Sequence, residues 1–112
     1  MTKYHNTKTS MAGIVFDSKK EAQRYVELRC LERAGEITAL EHQVPFELLP
    51  VQKDQDGRVI ERAAKYTADF VYVDSAGRKI VEDVKSSATK TKDYILRRKL
   101  MLWRHGIRIQ EV

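Results

Sequence analysis

The sequence predicts an α/β chain of the α+β kind, a mixed sheet flanked by helices in the order helix, three-stranded antiparallel meander, helix, strand. Three observations predict it. Two segments carry helix start and stop signals at both ends, three strand-like segments between them are joined without room for a helix, and a last alternating segment follows the second helix directly. Short links between consecutive strands favour antiparallel pairing, whereas a strand, helix, strand passage favours a parallel crossover.

Each element has a local reason. Residues Met1 to Ser10 are polar, basic and without period, so residues 1–12 read as an N-terminal arm and 13–112 as a single domain. Gly13 to Phe16 is a short strand candidate. Ser18 followed by Glu21 is a capping box and Gly35 stands where a helix-ending glycine belongs, which predicts a helix from about Lys19 to Ala34. Gln43 to Leu49 reads as a strand whose Pro45 marks an edge or a bulge. The polar stretch 51–62, with Asp56-Gly57, is a connection or hairpin tip. AKYTADFVYVD and RKIVEDVKS are two strands around a tight turn. Thr91 as N-cap and Gly106 as stop bracket a second helix, on which Ile95, Leu96, Leu100, Leu102 and Trp103 recur at helical spacing, with Trp103 expected as a core anchor. IRIQEV closes as an alternating strand.

At 112 residues there is room for one modest core. Lys and Arg total 21 against 16 acids, a net charge of +5, which is compatible with a polyanionic partner without establishing one. The single cysteine, Cys30, rules out an internal disulfide framework, fits a reducing compartment and is expected as a small buried residue on the first helix. No apolar segment resembles a signal or a membrane span, so a cytoplasmic protein with no membrane partner is expected.

The turn DSAGR sets the strand register. A two-residue loop at Ala76-Gly77 would force Ala76 to positive φ, whereas a three-residue loop Ser75-Ala76-Gly77 needs only Gly77 left-handed. If Asp74 faces Arg78, then Val73 faces Lys79, Val71 faces Val81, Asp69 faces Asp83 and Thr67 faces Lys85. Two carboxylates then become cross-strand neighbours beside Val71, Val73 and Val81, an arrangement that calls for a cation. Lys85 supplies one charge. Hard oxygen ligands without Cys or His suit Mg2+ or Mn2+. A ladder in which Lys65 and Lys85 share the two aspartates is the plainer alternative. Glu21 has a full explanation as a capping residue, yet on the helical wheel it shares the arc of Ala22, Tyr25, Val26 and Leu28, which would turn its carboxylate toward the sheet.

Asp69 on one strand, Asp83-Val84-Lys85 on the next and an upstream helical Glu21 resemble the PD-(D/E)XK nuclease superfamily, with Ala68 where the name motif has proline. KYHN near the start, Gly13 to Ala22, Tyr66 to Phe70 and VEDVKS further resemble an uncharacterised phage and prophage domain family of that superfamily. The resemblance implies a restriction-endonuclease-like core. It also implies metal ligation by Asp69, Asp83 and the Val84 carbonyl, completed or oriented by Glu21, with Lys85 positioning the attacking water. On that basis Glu21, Asp69, Asp83 and Lys85 are the expected catalytic set of a Mg2+-dependent DNA endonuclease, for which Mn2+ would substitute, encoded by a phage or prophage and acting in the bacterial host.

Lys90, Lys92, Arg97, Arg98 and Arg104 cluster on the second helix and its approach. With Lys3 and Lys8 they are expected to track a phosphate backbone, and Tyr94 to stack on a base or sugar or to pack in the core. His5, His42 and His105 have no metal-ligand spacing, and His105 suits the helix end. So small a protomer contacts only a short duplex and paired cuts need two sites, so a homodimer acting on branched or junction DNA is expected, alongside phage replication or recombination proteins. The rival expectation is a non-catalytic nucleic-acid-binding module that keeps the fold.

Overall fold

The computed structural model describes residues 8–85 and 90–112, so Lys3, His5 and Ser86 lie outside it. Part of the expected arm is a strand. β1 (Thr9–Met11) pairs antiparallel with β2 (Ile14–Phe16) through Ala12-Gly13, whose φ values of 53 and 79 are those of a two-residue type I′ turn. α1 (Lys19–Arg33) follows. Ser18 is extended and its Oγ accepts the Glu21 N–H at 3.1 Å, a cap worth about 1 kcal/mol. The Ala34 N–H closes the helix on the Cys30 carbonyl, and Gly35 takes φ 78.

β3 (Thr38–Leu49) begins earlier than expected. β4 (Gln52–Lys53) and β5 (Val59–Glu61) form a separate hairpin, and β6 (Ala64–Val73), β7 (Lys79–Asp83), α2 (Lys92–His105) and β8 (Gln110–Glu111) complete the order. The main sheet runs β3-β6-β7-β8, antiparallel except for the parallel β7–β8 pair. β3 is an edge strand, as Pro45 requires. The β6–β7 turn is the three-residue form. Asp74 N–H bonds the Arg78 carbonyl at 2.9 Å, Gly77 has φ 80, and Asp74 Oδ1 accepts the N–H groups of Ala76 and Arg78. DQDGR, between β4 and β5, repeats this with Asp54 and Gly57. The same sequence chemistry makes the same turn twice.

Two apolar clusters cover the two faces of the sheet. Tyr66, Ala68, Val71 and Val81 pack with Tyr94 and Met101 of α2, while Phe70 and Tyr72 pack with Phe16, Ala22 and Leu28 on the α1 side. Thus Val71 and Phe70, adjacent on β6, serve opposite layers.

Several expected core residues lie outside these layers. Trp103 is 74% exposed, Leu96 and Leu102 are exposed, and so are Val26 and Cys30. α2 buries Tyr94 and Met101, seven residues apart, and Trp103 lies about 200° around the helix from Met101. The apolar pattern of α2 is wider than the stripe the sheet covers. Among the described residues no helix is long and apolar enough to cross a membrane.

Candidate active site between the sheet and the first helix

The register places the expected acids together. Val73↔Lys79, Val71↔Val81 and Phe70↔Glu82 are paired, and at the next position the ladder gives way to a side chain: Asp69 Oδ2 accepts the Val84 N–H at 2.8 Å. The pairing does not extend to Thr67 and Lys85, since the Lys85 N–H bonds the Val112 carbonyl instead. Asp83 is 6% exposed. Its Oδ2 accepts the Tyr66 hydroxyl at 2.7 Å, and its Oδ1 lies 3.4 Å from Lys85 Nζ. Lys85 Nζ is also held 4.3 Å above the Tyr94 ring.

Glu21 joins from α1. Its backbone N–H supplies the cap contact, while its carboxylate turns away from Ser18 and onto the sheet, where the side chain is buried. Its Oε1 accepts from Gln43 Nε2 at 3.1 Å and lies 3.0 Å from His42 Nε2. Gln43 Nε2 also donates to Asp69 Oδ1 at 3.1 Å, so one amide links the helix acid to the strand acid. The His42 ring packs between Phe16 and Phe70, at centroid distances of 4.8 and 5.5 Å. Lys20 Nζ donates to the Lys85 carbonyl at 2.6 Å, fastening the first turn of α1 to the chain after β7.

Charge is unbalanced here. Burial pushes the Asp69 carboxyl up to about 7, opposed by the Val84 N–H and reinforced by the charges of Asp83 and Glu21. Burial and the bond to Asp83 push the Tyr66 hydroxyl well above its ordinary value. Among the described residues Lys85 pairs with Asp83, and the alternative ladder, in which Lys65 would share the two aspartates, is not made.

Among the described residues no group of three or more His, Cys, Asp or Glu side chains is placed to hold a metal ion. Mg2+ rarely relies on an all-protein set of ligands. It keeps several waters and takes one or two protein carboxylates plus substrate phosphate oxygens. Asp69 and Asp83 offer that number of hard oxygens. The amide hydrogens of Gln43, lodged between Glu21 and Asp69, show that the space between these acids already draws partial positive charge. A pair of carboxylates is the chemistry a hard divalent cation takes.

The expected phosphate-binding residues are divided. Lys8, Lys92 and Arg97 are exposed. Lys90 and Arg98 pair with Glu111 at 2.9 and 3.0 Å, and Arg104 with Glu47 at 3.0 Å. Lys90, the Tyr94 hydroxyl and Arg98 together hold the Glu111 carboxyl down at about 2. Tyr94 is 5% exposed and supports Lys85 and Glu111, so it is not placed to stack on a nucleotide.

Sequence reasoning missed His42, Gln43, Tyr66 and Lys20. Adjacent strand residues point to opposite faces, so no periodicity would bring His42 and Gln43 to one carboxylate. Tyr66 carried the only usable signal, a hydroxyl three residues before Asp69.

With this geometry in hand, comparison with known proteins gives a family. The chain belongs to the family described as "Protein of unknown function (DUF1064)", which matches residues 1–109. No curated protein and no solved structure matches the chain.

Proposed function

We propose that the chain is a divalent-metal-dependent DNA endonuclease with a restriction-endonuclease-like core of the PD-(D/E)XK superfamily. One observation carries the reading. Asp83 is buried and Asp69 half-buried on two paired strands; the Gln43 amide joins Asp69 to the helix carboxylate Glu21, and among the described residues Lys85 is the one ammonium paired within this set, to Asp83. A binding surface for DNA requires basic residues and gains nothing from concentrating buried acids.

Asp69 and Asp83 would hold Mg2+ or Mn2+, with the Val84 carbonyl as a further oxygen and Glu21 completing or orienting the set. The ion supplies polarisation of the scissile phosphate and a lowered pKa for bound water. Tyr66 keeps Asp83 oriented through Oδ2, and the Val84 N–H does the same for Asp69 through its Oδ2. Each carboxylate oxygen has a second lone pair, so these bonds orient the acids without using up their donor capacity. Lys85, steadied by Asp83 and the Tyr94 ring, places an ammonium where a water can be aligned and developing charge on the phosphate stabilised. Exposed Lys8, Lys92 and Arg97 would contact the backbone of the substrate. A homodimer acting on branched DNA follows from the small protomer and the need for two sites to make paired cuts.

The test is a panel of linear duplex, single strand, flap, fork and four-way junction offered with Mg2+ or Mn2+ at neutral to alkaline pH. The reading expects metal-dependent cutting, and symmetric cuts on opposing junction strands would select the resolvase form. An intact panel, with DNA still retarded in a gel and steep salt dependence, would leave binding alone as the function.

A further inference from the structure

Gln43 lies in the middle of β3, yet its backbone is left-handed, with φ 55. No turn requires this. The register runs His42↔Phe70 and Val44↔Ala68 without a shift, which sets Gln43 level with Asp69. A left-handed conformation is uncommon for any residue with a Cβ, and strain of this kind persists where the surrounding structure insists on it. Its effect is visible in the side chains. In a regular strand His42 and Gln43 would point to opposite faces, but here both Nε2 atoms reach the same Oε1 of Glu21. The second amide hydrogen of Gln43 goes to Asp69. A Gln amide has two N–H donors, which is the number two facing carboxylates need. Gln43 is exposed, so these bonds do little for the core.

We infer that Gln43 is a positioning residue for the acids, kept in a strained backbone so that its amide fixes Glu21 relative to Asp69 in readiness for a divalent cation. The inference rests on the metal-site reading above. The amide takes one lone pair on each of two oxygens and separates two like charges. Without it the two carboxylates repel and rotate apart, and a cation must reassemble the site as it binds.

Calorimetric titration with Mn2+ in the absence of DNA tests this. Gln43→Met keeps the length and removes both donors. Its melting temperature in EDTA stays close to that of the parent, and Mn2+ binds at least about tenfold more weakly, the usual scale for losing a group that orients metal ligands. In cleavage assays kcat falls while KM for DNA stays. Gln43→Glu is the second variant: a further carboxylate repels Glu21 and Asp69, so it melts below the parent in EDTA and shows a larger Mn2+-induced rise. Parent-like Mn2+ affinity in Gln43→Met, or equal Mn2+-induced rises in Gln43→Glu and the parent, overturns the role of Gln43 while leaving the metal site standing. If the parent binds no Mn2+, the metal-site reading falls and this inference falls with it.

Discussion

Glu82 and Asp83 are neighbours on β7, both buried acids, and they have opposite fates. Glu82 faces the α1 side, where Arg24 meets it with two bonds, Nε to Oε1 at 2.8 Å and Nη2 to Oε2 at 2.6 Å, and the Tyr72 hydroxyl adds another. The Glu82 bond, partly opposed by burial, raises the Arg24 pKa above its usual value. Asp83 faces the other layer, where it has a tyrosine hydroxyl and an ammonium at 3.4 Å, and its charge acts on Asp69, which Glu21 approaches from α1. Both arrangements satisfy the hydrogen-bond needs of a buried carboxylate. Glu82 is met by a guanidinium on both its oxygens, whereas the ammonium of Lys85 serves Asp83 beside the charge of Asp69. A buried acid matched by its own guanidinium is a structural tie, whereas acids gathered in excess over cations are a pattern that functional sites present.

The contrast can be broken from either side. The largest expected effect is at Asp83. Asp83→Ala should reduce cleavage by about 10²-fold or more while DNA affinity, measured by gel shift in Ca2+ or EDTA, is retained. Undiminished cutting by repurified Asp83→Ala would remove it from the active site. Next is Arg24→Met, which leaves Glu82 buried without its guanidinium. Thermal unfolding should show a loss of about 3 kcal/mol, with the Mn2+-induced rise in melting temperature unchanged. A variant as stable as the parent would mean that the pair is not what holds Glu82 inside.

Asp69 gives a smaller effect with a definite sign. Its folded pKa, about 7, stands above the ordinary 3.8, so between those values the folded chain holds a proton that the unfolded chain releases. The associated stability is fully present below about pH 4 and is lost as pH rises through about 7. Melting temperature without metal should therefore carry a downward component across that window, and Asp69→Asn should lack it. A pH profile identical in the two proteins would contradict the burial and charge assigned to Asp69. The smallest effect is expected from Glu21→Gln. The Ser18 cap uses the backbone N–H, so stability should change by less than about 0.5 kcal/mol, while cleavage falls about tenfold. Unchanged cleavage would return Glu21 to a role in the helix alone.

Much of this was legible in the sequence. The cap at Ser18, the stops at Gly35 and Gly106 and the DSAGR turn are local rules, and they held because no tertiary contact opposes them. The turn in turn fixed the register of β6 against β7 as far as Phe70↔Glu82. Glu21 was readable as ambiguous, and the structure divides its two roles between backbone and side chain. What could not be read depends on a break in periodicity. The left-handed Gln43 sends two adjacent side chains to one oxygen, and nothing in HQVPF announces it. Trp103 failed for a different reason: helical spacing identifies a stripe, but the width that the sheet covers is set by packing, and α2 needed only Tyr94 and Met101 fully inside.

The central claim is that Asp69 and Asp83 are arranged for a cation. Thermal unfolding with and without millimolar Mg2+ or Mn2+, on the parent and on an Asp69→Asn, Asp83→Asn double variant, tests it most directly, because an ion that binds only the folded chain must raise its stability by mass action. The account predicts a metal-dependent rise for the parent and none for the double variant, whose amides no longer repel and are poorer ligands. Equal responses in the two proteins, or no response in the parent, would contradict it.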